Sequence, residues 1–196
     1  MLISSSSSSC LLCINLTQFQ PTELTFAPSL TVAKKTNLYI IYSKLVMTIL
    51  KYVPRIIPPR LLYCLAQMGH GDELVLADAN FPAASTARNC ELINCDAVTV
   101  PQLLEAVCKL MPLDTYAPPA AVMQVTPQDQ GKVETPVWHE FKTIIEAAEG
   151  RTIKLEEVER FAFYERAKTA QCIVSTGESA LYGNLILKKG VLGPED

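Results

Sequence analysis

The chain is poor in the residues that most often announce chemistry. Two histidines, His70 and His139, and a single tryptophan occur in 196 residues. Charge of one sign is also scarce: 17 Lys and Arg against 20 Asp and Glu leave a net charge of −3, and the basic residues are scattered. A phosphate backbone needs a concentrated basic face, so nucleic acid is excluded as a partner. No apolar run is long enough to cross a bilayer. The best candidate, Asn37 to Val53, is broken by Lys44 and Lys51, so no membrane role is expected. The seven cysteines are odd in number and widely spaced, which reads as reduced thiols in a cytoplasmic protein rather than a disulfide framework. Cys10 and Cys13 form a CxxC, but no second pair or histidine stands at metal-ligand spacing. No metal site is expected.

What is present is an ordinary globular composition, with 49% hydrophobic and 19% charged residues. Residues 1–46 are Ser-rich, with a run from Ser4 to Ser9 and one acidic residue, Glu23. They read as a disordered extension, or as sequence upstream of a start at Met47, ahead of a transit peptide. Patterned sequence fills 47–196, enough for one good core.

Along that stretch, strands alternate with helices. Pro58 and Pro59 suit a helix's first turn, Leu61, Leu62, Leu65 and Met68 recur at helical spacing, and Gly69 is a stop signal. The short apolar run Glu73 to Asp78 predicts a buried strand, with a second around Glu91 to Cys95. Leu103, Leu104, Val107, Leu110 and Met111 form a helical stripe after Thr99 and Pro101. Ala120 to Val125 predicts a strand, Thr126 to Glu134 a surface loop, and Thr135-Pro136 a helix closed by Gly150. Leu155 to Ala170 has a mixed period. Cys172 to Ser175 and Asn184 to Leu187 are the last predicted strands. The expected fold is α/β, a mainly parallel sheet sandwiched by helices.

His70 lies between two glycines at a helix-to-strand junction, where an imidazole can exchange protons at neutral pH with a closely approaching ligand. From the residues alone the commoner reading is a loop histidine that caps the preceding helix. Asp78 and Asp114 each follow an apolar element into a loop, as carboxylates that bind hydroxyls do, and as ordinary turn residues also do. Tyr182 and Asn184 fit either a sugar or a turn, Tyr164 is a candidate phenol on a packed helix, and His139 is assigned no role. The residues by themselves do not reach a substrate.

The run Met68-Gly-His-Gly-Asp-Glu-Leu-Val-Leu-Ala-Asp-Ala-Asn-Phe-Pro82 closely resembles the opening motif of the fucose mutarotases, relatives of the D-ribose pyranases. Further matches follow in order: Pro101-Gln-Leu-Leu-Glu-Ala-Val107, Leu110-Met-Pro-Leu-Asp114, Thr135-Pro-Val-Trp138, Arg160-Phe-Ala-Phe-Tyr-Glu-Arg-Ala167 and Gly177-Glu-Ser-Ala-Leu-Tyr-Gly-Asn-Leu-Ile-Leu187. The resemblance implies interconversion of the α and β anomers of L-fucose without a cofactor. It makes His70 the proton donor and Tyr164 its catalytic partner, with Asp78, Asp114, Tyr164, Tyr182 and Asn184 holding the sugar. It also implies a ring-type homo-oligomer with sites at subunit boundaries. D-ribose pyranase activity on the same site, or a monosaccharide-binding protein without turnover, are the alternatives. One departure stands out, since Tyr52 occupies a position where members of the family usually carry glycine, which predicts a changed local chain path.

Overall fold

The structure, a computed structural model, describes residues 49–193. These lie in one unit, Met47–Asp196. The extension over 1–46, with Cys10 and Cys13, falls outside the described residues.

The chain runs α1 (Pro59–Gln67), β1 (Glu73–Ala77), α2 (Ala83–Thr86), β2 (Glu91–Cys95), α3 (Val100–Cys108), β3 (Ala120–Met123), α4 (Pro136–Glu149), β4 (Glu156–Val158), α5 (Arg160–Ala167), β5 (Cys172–Thr176) and β6 (Leu185–Lys188). The six strands form one sheet in the order β2-β5-β1-β6-β3-β4. Pairings of β2 with β5, β5 with β1 and β3 with β4 are parallel, while β6 is antiparallel to both β1 and β3. Five strands therefore point one way and β6 alone is reversed. The α/β expectation is borne out, with the sheet mixed through that one strand.

Alternation along the strands splits the core into two layers. Leu74 and Leu76 of β1, Val174 of β5 and Leu185 of β6 face one side, where Leu61, Leu65, Leu103, Leu104, Phe141 and Ile145 of α1, α3 and α4 cover them. Val75 and Ala77, with Ile173 and Ile186, face the other side against Phe81, Phe163 and Ala167. Phe141 and Phe163 are both 0% exposed. Either one truncated to alanine costs about 3–5 kcal/mol on the usual scale for buried aromatics.

Helix boundaries follow the local chemistry. Thr99 makes a capping box with Gln102, and Pro101 occupies the first turn of α3. Gly150 ends α4 in the left-handed conformation at φ 64°. The mixed stretch after Leu155 resolves into a three-residue strand and a short helix, separated by Glu159, whose carboxylate accepts from the N–H groups of Phe161 and Ala162. Two periods within a dozen residues explain why neither is legible there. The one-turn helix α2 carries no sequence signal, because four residues are too few to show a period.

The reversed strand creates the site. β5 and β6 are separated by β1, so residues 177–184 must cross over the C-terminal end of β1 to begin β6. The Ala79 N–H donates to the Glu178 carbonyl at 2.9 Å along that crossing. This brings Tyr182 and Asn184 onto the strand end that carries Asp78.

Candidate active site

A cavity of about 240 Å³ opens at the C-terminal end of the parallel strands and is lined by Asp78, Asn80, Phe81, Met123, Asp129, Arg160, Tyr164, Leu181, Tyr182 and Asn184. Strand ends in α/β sheets present loop residues to ligands, because the backbone there is free of the ladder. Four of the six residues expected from the sequence meet in this cavity: Asp78, Tyr164, Tyr182 and Asn184.

Asp78 and Asn184 lock each other. The Asn184 amide Nδ2 donates to Asp78 Oδ2 at 2.7 Å, and the Asp78 N–H donates to Asn184 Oδ1 at 2.9 Å. Asp78 Oδ1 also accepts from the Asn80 N–H at 2.9 Å. The Asp78 carboxylate is thereby held as a rigid hydrogen-bond acceptor in the cavity wall. Burial raises the Asp78 carboxyl above the ordinary range, partly offset by the Asn80 and Asn184 hydrogen bonds.

Tyr164 is half-buried in the second turn of α5, its ring 5.6 Å from that of Phe81. Among the described residues nothing hydrogen-bonds its hydroxyl. α5 is anchored at its far end by Arg166, whose guanidinium Nε and Nη2 contact Glu73 at 2.7–3.1 Å while Nη1 donates to Glu156 at 2.7 Å. Lys188 adds a second cation at 3.1 Å from Glu73. Burial alone would raise the Glu73 carboxyl, yet Arg166 and Lys188 outweigh it and hold the group below its ordinary value.

His70 and Asp114 lie elsewhere, at the opposite end of the sheet. His70 precedes β1, whereas Asp78 follows it, and six residue steps from Asp72 to Asp78 at about 3.3 Å each place the two ends about 20 Å apart. There Asp114 Oδ1 is 3.2 Å from His70 Nε2, and, because a carboxylate only accepts, Nε2 is the donor. Asp114 is 3% exposed. Burial would raise its carboxyl, but the Tyr116 N–H and the imidazole outweigh that and hold it below the ordinary range. The segment 187–190 supports both groups. The Lys189 ammonium donates to the Met68 carbonyl at 2.7 Å, the Gly71 N–H donates to the Lys189 carbonyl at 2.9 Å, and a Cβ on Gly190 would come within 2.5 Å of the Leu113 carbonyl oxygen. Glycine at 190 is what lets the chain carrying Asp114 approach.

The structure adds Asp129 and Arg160 to the cavity. Arg160 falls inside the Arg160–Ala167 motif, four residues before Tyr164 and so on the same helix face. Asp129 lies in a polar loop and gave no signal, because nothing local distinguishes a buried contact from a solvated one. His139 is exposed on α4, as expected. The five cysteines among the described residues are free thiols, and burial pushes the Cys108 thiol up to about 12.

An α/β sheet with one reversed strand, and a sugar-sized cavity of carboxylate, amide and phenol at its strand ends, defines a small acid/base or carbohydrate-binding class. Comparison with known proteins makes this particular. A model of the RbsD / FucU transport protein family matches residues 51–192, and the chain belongs to that family. It is 56% identical over 149 residues to the fucose mutarotase of Homo sapiens, covering 74% of this chain and 96% of that protein. It is 54% identical over 152 residues to that of Danio rerio, covering 76% and 99%. The solved fucose mutarotase of Streptococcus pneumoniae in complex with L-fucose matches with a TM-score of 0.68 at 45% identity, over 74% of this chain and 100% of that one. The resemblance carried by the sequence motifs is therefore borne out.

Proposed function

We propose that the protein is a cytoplasmic L-fucose mutarotase, an isomerase that exchanges the α and β anomers by opening and reclosing the pyranose ring. The observation that carries this is the cavity itself, where a locked Asp78–Asn184 pair faces a phenol, Tyr164, whose proton is uncommitted. Ring opening needs a proton delivered to the ring oxygen and one removed from the anomeric hydroxyl. The freed aldehyde then rotates and the two transfers run in reverse. Only proton-exchanging groups and hydroxyl binders are required of the protein. Each positioned acid or base contributes about 10²–10⁴-fold. The free thiols support a reducing compartment.

The second proton-exchanging group is His70, oriented by Asp114, and it reaches the cavity from a neighbouring copy. Asp114 thus acts on the imidazole beside it. Both ends of the protomer carry exposed apolar side chains of the kind a protein interface covers: Phe161 (72% exposed) and Leu181 (54%) near Tyr164 and Tyr182, and Tyr116 (79%), Val191 (53%) and Leu192 (67%) near His70. Unlike surfaces at opposite ends join head to tail, and such contacts close into rings when the rotation permits.

Magnetisation-transfer NMR on the anomeric protons of L-fucose tests the function. Exchange should exceed the buffer rate in wild type and fall about 10²–10⁴-fold in His70→Ala with the fold retained. Wild-type exchange equal to buffer would refute the enzyme.

A further inference from the structure

Two phenols line the cavity in opposite states. The Tyr164 hydroxyl has no hydrogen-bond partner among the described residues, whereas the Tyr182 hydroxyl lies 2.5 Å from Asp129 Oδ2. Around the same oxygen are the Thr126 N–H at 3.3 Å, Thr126 Oγ1 at 3.2 Å and Arg160 Nη2 at 3.4 Å. A phenol has one proton and two lone pairs. A carboxylate can only accept, so the short bond takes the Tyr182 proton, and the N–H donors fall to its lone pairs.

The backbone of Tyr182 is also held in an unusual place. Its φ is 59°, the left-handed region that non-glycine residues rarely occupy. Such a conformation persists only where surrounding contacts over-determine it. Here they come from both ends of the residue: Asp129 holds the ring, and Trp138 Nε1 donates to the Tyr182 carbonyl at 2.9 Å. Asn184 follows two residues later, so the turn at Tyr182 sets where that amide meets Asp78. Asp129 is itself fixed by a turn, with its N–H donating to the Thr126 carbonyl at 2.9 Å and the Thr126 hydroxyl donating to its Oδ2 at 3.2 Å.

We propose that Asp129 is a positioning residue for the mutarotase site: it commits the Tyr182 proton and pins the ring, so that Tyr182 serves as a fixed wall of the cavity and Tyr164 is the cavity phenol that exchanges protons. The loop after β3 is thereby coupled to the Asp78–Asn184 pair through Tyr182. This rests on the function proposed above and assigns a residue beyond the six motif positions.

The test measures L-fucose anomer exchange against sugar concentration in the full chain for Asp129→Ala, Asp129→Asn, Tyr182→Phe and the Asp129→Ala/Tyr182→Phe double variant. Asp129→Ala should raise the half-saturating fucose concentration about tenfold, the scale of one charge-assisted hydrogen bond, with saturated turnover within about threefold of wild type. Asp129→Asn, which still accepts from the phenol, should recover part of that loss. In the Tyr182→Phe background, Asp129→Ala should add nothing, because its target hydroxyl is gone. Equal losses in both backgrounds, or an unchanged half-saturation in folded Asp129→Ala, would overturn the proposal. The ¹³Cζ resonance of labelled Tyr182 supplies a readout without sugar: it should move in Asp129→Ala while Tyr164 stays in place, and an unmoved Tyr182 resonance would also overturn it. Absence of wild-type exchange would remove the function while leaving this link measurable.

Discussion

Two inactive variants should restore each other when they share an assembly. His70 and Tyr164 stand at opposite ends of a strand, about 20 Å apart in one protomer, a gap that no change of side-chain rotamer closes. Under the proposed function, a working site takes His70 from one copy and Tyr164 from the next. Consider His70→Ala and Tyr164→Phe, each about 10²–10⁴-fold impaired alone. In a randomly mixed assembly at equal amounts, half of the chains offering a histidine end carry an intact imidazole, and half of those offering a cavity carry an intact phenol. The chance that both fall at one boundary is about one quarter, whether the contact is head to tail or two-fold. Co-expressed chains with distinguishable mass tags should thus recover about 25% of wild-type exchange per site, read by the same NMR transfer experiment, with native mass spectrometry confirming mixed assemblies. Mixed assemblies with no recovery would refute the shared site. So would full activity in a protein held strictly monomeric.

Two further outcomes follow from local geometry. Tyr52 has φ 66° and is 85% exposed, with its ring 4.8 Å from the Lys51 ammonium; Tyr52→Gly should raise stability by up to about 1 kcal/mol, the left-handed penalty less the unfolded-state freedom of glycine, or about 2–4 °C in Tm by calorimetry. Glu73 is held below its ordinary value, so its contribution is present above the unfolded-state value of about 4.3 and is lost as pH falls through the folded-state value. Glu73→Gln should cost about 2–3 kcal/mol at pH 7, under the range for a fully buried pair because Arg166 keeps Glu156, and should flatten the acid limb of a Tm-against-pH curve.

How much was legible depended on whether the information was local. Helices α1, α3 and α4 have proline or threonine at their starts and long apolar stripes, and each lies where the pattern predicts. β2 occupies Glu91–Cys95 as expected. Tyr52 stands where family members usually carry glycine, and its backbone lies at φ 66°, the left-handed region in which glycine is unstrained. Topology was less accessible. Nothing in Leu185–Lys188 distinguishes a reversed strand from a parallel one, because burial on both faces erases the alternation that would reveal its neighbours.

The site shows the same division more sharply. His70, Asp78, Asp114, Tyr164, Tyr182 and Asn184 all fall in one family's motifs, yet motif order carries no distances. The fold sorts them into two groups by a simple rule: residues following β1 and preceding the reversed β6 share one end, and those preceding β1 and pairing with the chain just after β6 share the other. Asp114 stands with His70 under that rule, since the Leu113 bridge to Lys189 places its carboxylate at the histidine's end. Under the proposed function the reaction needs both ends, which makes assembly part of the chemistry rather than an addition to it. The exposed Phe161 at one end and Tyr116 at the other are the side chains that such an assembly would cover.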